Sequence, residues 1–183
     1  MKAPKLLQVI FTRLMLERTV GDTPLPEGSI VFGTSNNQSD GVGDSMLAHA
    51  GNRVCILEMQ KPAVDAWLAW ATNNKVSALI RAFVHTYPRC LHSYRDECEE
   101  DNSYIFSPKL HQLSFVSPRS LARCSVIVGN RDKLGENATI SELNGTIGAS
   151  ASADMNSFLR LEKELPSFES ILESPMTASI PSQ

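Results

Sequence analysis

The chain has 183 residues, of which 42% are hydrophobic and 20% charged, and a formal net charge of −3 at pH 7. This is a globular composition, enough for one ordinary domain or for a small domain plus part of another. The negative balance does not favour a protein whose main task is gripping a phosphate backbone, and no apolar run approaches the ~20 residues of a membrane span.

Pro4 suits the first turn of a helix, and Leu7, Ile10, Phe11, Leu14 and Met15 follow at helical spacing, so one amphipathic helix is predicted from Pro4 to Glu17. Two lysines precede this stretch, but Thr12, Arg13, Glu17 and Arg18 interrupt it, so no secretory signal is expected and the expected compartment is the cytoplasm. The Gly- and Pro-rich segment from Thr19 to Gly28 predicts a turn-rich connection with room for a small hairpin. Ser29 to Gly33 reads as a short, mostly apolar strand suited to a central parallel position, and Val54 to Met59 as a second strand. Between them, Asn36 to Asp44 is a polar loop and Ser45 to Ala50 one or two helical turns, so the pair fits the edge of an α/β sheet.

Lys61-Pro62 marks a boundary, after which the pattern is helical. Helices are predicted over Ala63–Asn73 and Val76–Tyr87, then over Pro118–Asn130 with Ser117 as N-cap, and finally over Ile140–Asn144 and Ser150–Leu161. Leu91 to Lys109 is polar and predicted irregular, and Ser174 to Gln183 reads as a disordered tail. The expected organisation is therefore residues 1–61, residues 62–173 and a tail at 174–183.

Cys55, Cys90, Cys98 and Cys124 form no C-x-x-C pair, so neither a zinc ribbon nor a thioredoxin-type site is indicated. Cys90, His92 and Cys98 could share a metal in principle; idle or buried thiols are the plainer reading, and no metal site is expected. Trp67 and Trp70 lie three apart on one helix face, which suits packing rather than a ligand cage. There is no H-E-x-x-H, no G-x-S-x-G and no G-x-x-x-x-G-K-[ST] phosphate loop, nor an apolar strand ending in Asp-Glu.

Three residues could meet a nucleotide. Asn36 follows the first predicted strand, where ligands bind in α/β sheets, and its amide could hold a water against a terminal phosphate; it could equally cap a turn. Arg53 leads into the second strand and could reach a neighbouring subunit's nucleotide, or be a surface arginine in a weak ion pair. Arg119 lies in the first turn of its helix, where a cation opposes the dipole; a phosphate nearby would offset this, and a solvated arginine is the alternative.

In this order the elements resemble the AAA+ ATPase superfamily, specifically its MoxR-like branch, over roughly Ala3 to Glu173. Gln8 to Arg18 with Leu25-Pro26-Glu27-Gly28 is similar to the helix and LP-(D/E)-G approach that follows that family's Walker B strand. Gly33-Thr34-Ser35-Asn36 resembles its sensor 1 strand, Asn52-Arg53 its arginine-finger position, and Ser117-Pro118-Arg119 its sensor 2 motif. Gly145-Thr146-Ile147-Gly148, a following helix and Leu165-Pro166 resemble its closing lid helices. The resemblance implies the C-terminal part of a parallel-sheet αβα core (residues 1–61) followed by a helical lid (62–173), an α/β plus all-α organisation.

The resemblance also implies ATP and Mg2+ as cofactors, catalytic roles for Asn36 and Arg53, and nucleotide contact by Arg119. It further implies a homo-oligomeric, hexameric ring that remodels or matures protein substrates. The chain departs from the family in lacking the phosphate loop and the Walker B acid pair, which a member carries upstream, and in having Arg53-Val54 where Arg-Phe is common. Without backbone cradle, lysine and magnesium-organising carboxylates, it is not expected to hydrolyse ATP alone. A sheet cut between its nucleotide-binding strands exposes unpaired edges, so residues 1–61 are expected to be sticky unless a complementing N-terminal half covers them. The competing expectation is a catalytically incomplete interaction module, or a remnant, that joins a ring without hydrolysis. A nucleic-acid-binding helical domain is a third, disfavoured by charge and by the lack of a basic, aromatic-interleaved face.

Overall fold

The computed structural model describes residues 5–34, 54–96, 101–110, 112–165 and 168–173. The chain divides into two compact units, Met1–Met59 and Gln60–Gln183.

In the first unit, helix α1 runs from Lys5 to Glu17, and Arg13 pairs with Glu17 one turn away at 2.5 Å. Strands β1 (Thr19–Val20) and β2 (Thr23–Pro24) then form an antiparallel hairpin. Its loop is Gly21-Asp22, and Gly21 at φ +61° takes the first central position that a type II′ turn reserves for glycine. Two expectations are corrected here. Residues 29–34 and 54–59 carry no strand, and Ile30, Phe32 and Leu57 are 85%, 83% and 81% exposed. Their β propensity is real, but a strand exists only through a ladder partner, and neither segment has one among the described residues. The expected helical turns at 45–50 and the tail at 174–183 lie outside the described residues.

The second unit is helical. Its elements are α2 (Val64–Asn73), α3 (Ala78–Thr86), a 3-10 turn (Pro88–Leu91), α4 (Pro118–Gly129), α5 (Arg131–Leu134), α6 (Glu136–Ile147), α7 (Ala149–Glu164) and α8 (Phe168–Glu173). The helical periodicity becomes one core. Trp67 and Ala71 come from α2, Ile80, Phe83 and Val84 from α3, and Leu121, Cys124 and Val128 from α4. Leu143 and Ile147 of α6 meet Ala151, Met155 and Leu159 of α7. Phe83 is fully buried, with the Tyr87 ring 4.7 Å away and the Phe158 ring 5.7 Å away, edge to face. Burying such a side chain contributes roughly 1.5–3 kcal/mol.

The segment before α4 is irregular, as its composition predicts, but not peripheral. Tyr104, Ile105 and Val116 are all within 1% of complete burial. Ile105 and Val116 form an isolated parallel bridge, and the Val116 amide donates to the Tyr104 carbonyl at 2.7 Å. The same strip runs over the corner between α6 and α7. Ser114 donates its hydroxyl to the Asn144 carbonyl at 2.8 Å, and its own carbonyl would lie 2.9 Å from a Cβ placed on Gly148.

Gly148 has φ +83°, so both space and backbone reserve the position for glycine. Gly148→Ala combines left-handed strain with overpacking and should destabilise the helical unit by about 2 kcal/mol or more. Denaturant midpoints followed by circular dichroism test this; an unchanged midpoint would show that the corner does not constrain the fold.

Candidate functional site

Of the three predicted site residues, Arg119 is placed by the structure, while Asn36 and Arg53 lie outside the described residues. Arg119 sits at the start of α4, which is built firmly. Ser117 is extended at φ −144°, its hydroxyl oxygen accepts from the Ser120 amide at 3.1 Å, and its own amide donates to the Ser120 hydroxyl at 2.8 Å. This reciprocal box satisfies donors that a helix start leaves open, and Pro118 has no amide hydrogen to satisfy. Two contacts fix α4 against its neighbours: the Trp67 indole donates to the Pro118 carbonyl at 3.4 Å, and the Ser77 amide donates to the Ser125 hydroxyl at 2.8 Å.

Arg119 is exposed, and among the described residues its guanidinium has no ion-pair partner. Arg123, also exposed, follows at i+4 and so lies on the same face of α4. The sequence reading missed Arg123, although the four-residue spacing was its signal. Arginine offers donors only and keeps its proton, so this helix end can hold negative charge but cannot activate a water. Phosphate, which accepts bidentate arginine contacts, is the chemistry it suits.

Cys98, one of three residues weighed as a shared metal set, lies outside the described residues. Among the described residues no cluster of three or more His, Cys, Asp or Glu could hold a metal ion.

A second polar cluster was not foreseen, because its members are far apart in sequence. The buried Tyr104 donates its phenol to the Asp154 carboxylate, and Arg89 approaches the same carboxylate at 3.1 Å. The Arg89 guanidinium also lies 4.0 Å from the centre of the Tyr104 ring. Burial, reinforced by the Asp154 hydrogen bond, pushes the Tyr104 phenol well above its ordinary range. Burial likewise pushes the Cys90 and Cys124 thiols from 9.0 up to about 12. These are inert core thiols rather than nucleophiles. The cluster therefore ties elements together and carries no catalytic signature.

Each of these groups is neutral in the folded protein at pH values where the unfolded chain ionises. Their stabilisation is complete below the unfolded values and is lost as pH rises through the folded ones. Stability should fall between pH 9 and about 12, at about 1.4 kcal/mol per pH unit for each buried thiol. Denaturant midpoints under reducing conditions should show the fall, with a shallower slope for Cys90→Ala or Cys124→Ala. A flat profile across that window, or an identical slope in both variants, contradicts the assignment.

Set against family models, curated proteins and solved structures, the chain matches none of them.

Proposed function

We propose that this chain is the C-terminal portion of a MoxR-like AAA+ ATPase. In this reading residues 1–61 end a parallel-sheet αβα core and residues 62–173 form its helical lid. Arg119 contacts nucleotide from the lid, Asn36 positions the attacking water, and Arg53 acts on the γ-phosphate bound by the neighbouring subunit of an oligomeric ring. The ring uses ATP in the cytoplasm to remodel or mature partner proteins. The carrying observation is Arg119: an exposed guanidinium without an ion-pair partner among the described residues, at the reciprocally capped start of α4.

The residues present fit part of the cofactor. Arg119 and Arg123 suit phosphate oxygens, whereas among the described residues no cluster of carboxylates would hold Mg2+, which in this reading is organised by the acid pair of an N-terminal half. This chain's share is to bind, orient and sense nucleotide, with phosphate-loop and acid-pair chemistry supplied by an N-terminal half.

One observation favours a second reading, an interaction module without hydrolysis. Ile30, Phe32, Ile56, Leu57 and Met59 are all at least 67% exposed, as they would be in a sheet segment waiting for another chain.

Binding of a fluorescent ATP analogue, by this chain alone and mixed with the N-terminal half of a related ATPase, separates the two. Binding and hydrolysis only in the mixture, with a loss of about tenfold or more in Arg119→Ala, support the ATPase reading. Physical association without nucleotide binding supports the interaction module. No association and no binding in either sample overturn both.

A further inference from the structure

The first and last helical stretches of the chain carry opposite charge beside exposed apolar side chains. Residues 1–20 hold four cations, Lys2, Lys5, Arg13 and Arg18, against one acid, Glu17, which leaves +3 in a chain of net charge −3. Arg13 and Glu17 answer each other within α1, so the surplus is Lys2, Lys5 and Arg18. Residues 164–173 hold Glu164, Glu169 and Glu173 and no cation, a formal −3. Glu162 stands outside that surplus because it pairs with Arg131.

Each stretch also leaves an apolar face open. Leu7, Ile10, Phe11 and Leu14 recur at i, i+3, i+4 and i+7 and so share one face of α1. The first three are at least 40% exposed, and no described residue of the first unit is buried, so this face meets no core of its own. At the other end Leu161 of α7, Leu165, and Ile171 and Leu172 of α8 are at least 42% exposed. Among the described residues the core of the helical unit ends at Leu159.

Charge decides which faces pair. Two α1 helices would set +3 against +3 and two C-terminal segments −3 against −3, and like-charge juxtaposition opposes association. Pairing α1 with a C-terminal segment matches the charge in sign and amount and covers apolar surface on both sides. Both faces are exposed in the single chain, so a second copy supplies the complement of each. Such contacts close reciprocally within a pair or continue around a ring.

We propose that the chain self-associates through this pairing, α1 of one copy docking on the acidic, apolar segment Leu161–Glu173 of a second copy. The inference rests on the oligomeric part of the proposed function alone. No nucleotide enters its test, so its failure and that of the ATPase reading are distinguishable.

Sedimentation velocity of the full chain over a range of concentration, at about 0.1 M salt, tests this. The unaltered chain should associate as concentration rises. Lys2→Glu with Lys5→Glu and Arg18→Glu reverses one surface, and Glu164→Lys with Glu169→Lys and Glu173→Lys reverses the other. Each triple variant should associate at least about tenfold more weakly, since its two surfaces then carry like charge. A 1:1 mixture of the two should restore association, because each variant carries the complement of the other. Circular dichroism checks that the helices persist. Should a reversal unfold the chain, Ile10→Asp and Leu172→Asp, both at sites at least 60% exposed, take its place and should each abolish association. A monomer at every concentration, association unchanged by these substitutions, or a mixture no more associated than its parts would each overturn the proposal.

Discussion

The position of Tyr104 is the constraint on which the helical unit depends. Its ring is fully buried and its phenol is held by Asp154 of α7. Its carbonyl accepts from Val116, and one residue later Ser117 caps α4. An otherwise irregular strip is thereby tied to α7 through a side chain, and through the backbone to Val116, two residues before α4 begins. The relative strengths agree with this order. The half-exposed Arg89–Asp154 pair is worth no more than about 1 kcal/mol. A hydrogen bond to a charged group contributes about 1.5–3 kcal/mol, to which burial of the Tyr104 ring adds its own share.

The helices were legible in the sequence because their apolar residues recur with a helical period and their ends carry chemical marks. Ser117 and Pro118 announced the start of α4, and Pro88 the end of α3. The ends of α6 and α7 were read short, since Glu136-Asn137-Ala138 and Ala149 carry little hydrophobic signal and are helical through the neighbours they lead into. The buried strip from Tyr104 to Val116 was legible only as irregular. Its burial depends on contacts with residues tens of positions away, such as Asp154 and Asn144, and no local pattern encodes such pairings. The site was legible in part: Arg119 from its place in a capped first turn, Arg123 only once α4 had a face.

The first unit behaves differently for a physical reason. A helical turn satisfies its backbone internally, whereas a strand depends on another segment for every ladder bond. Ile30, Phe32, Ile56 and Leu57 sit in segments with strand-like composition but no described ladder partner, and each forgoes the roughly 1.5–3 kcal/mol that burial gives a large apolar side chain. Helix α1 likewise leaves Ile10 and Phe11 at 60% and 40% exposure. Surface of that kind is a reason to look for a completing chain whichever functional reading holds.

Arg119 poses an energetic question of its own. A cation in the first turn of a helix opposes the macrodipole by about 0.3–1 kcal/mol, and Arg123 one turn away adds like charge. The Ser117–Ser120 box, worth about 1 kcal/mol, offsets that cost and lets α4 begin where it does. The arrangement is thus tolerated by the fold without being stabilised by it. Two charge-assisted contacts to one phosphate would reverse the balance, since each is about twice as strong as a neutral hydrogen bond. The helix start is therefore firm in its backbone while Arg119 has no ion-pair partner among the described residues, a combination that would let an anion bind without first reorganising the protein.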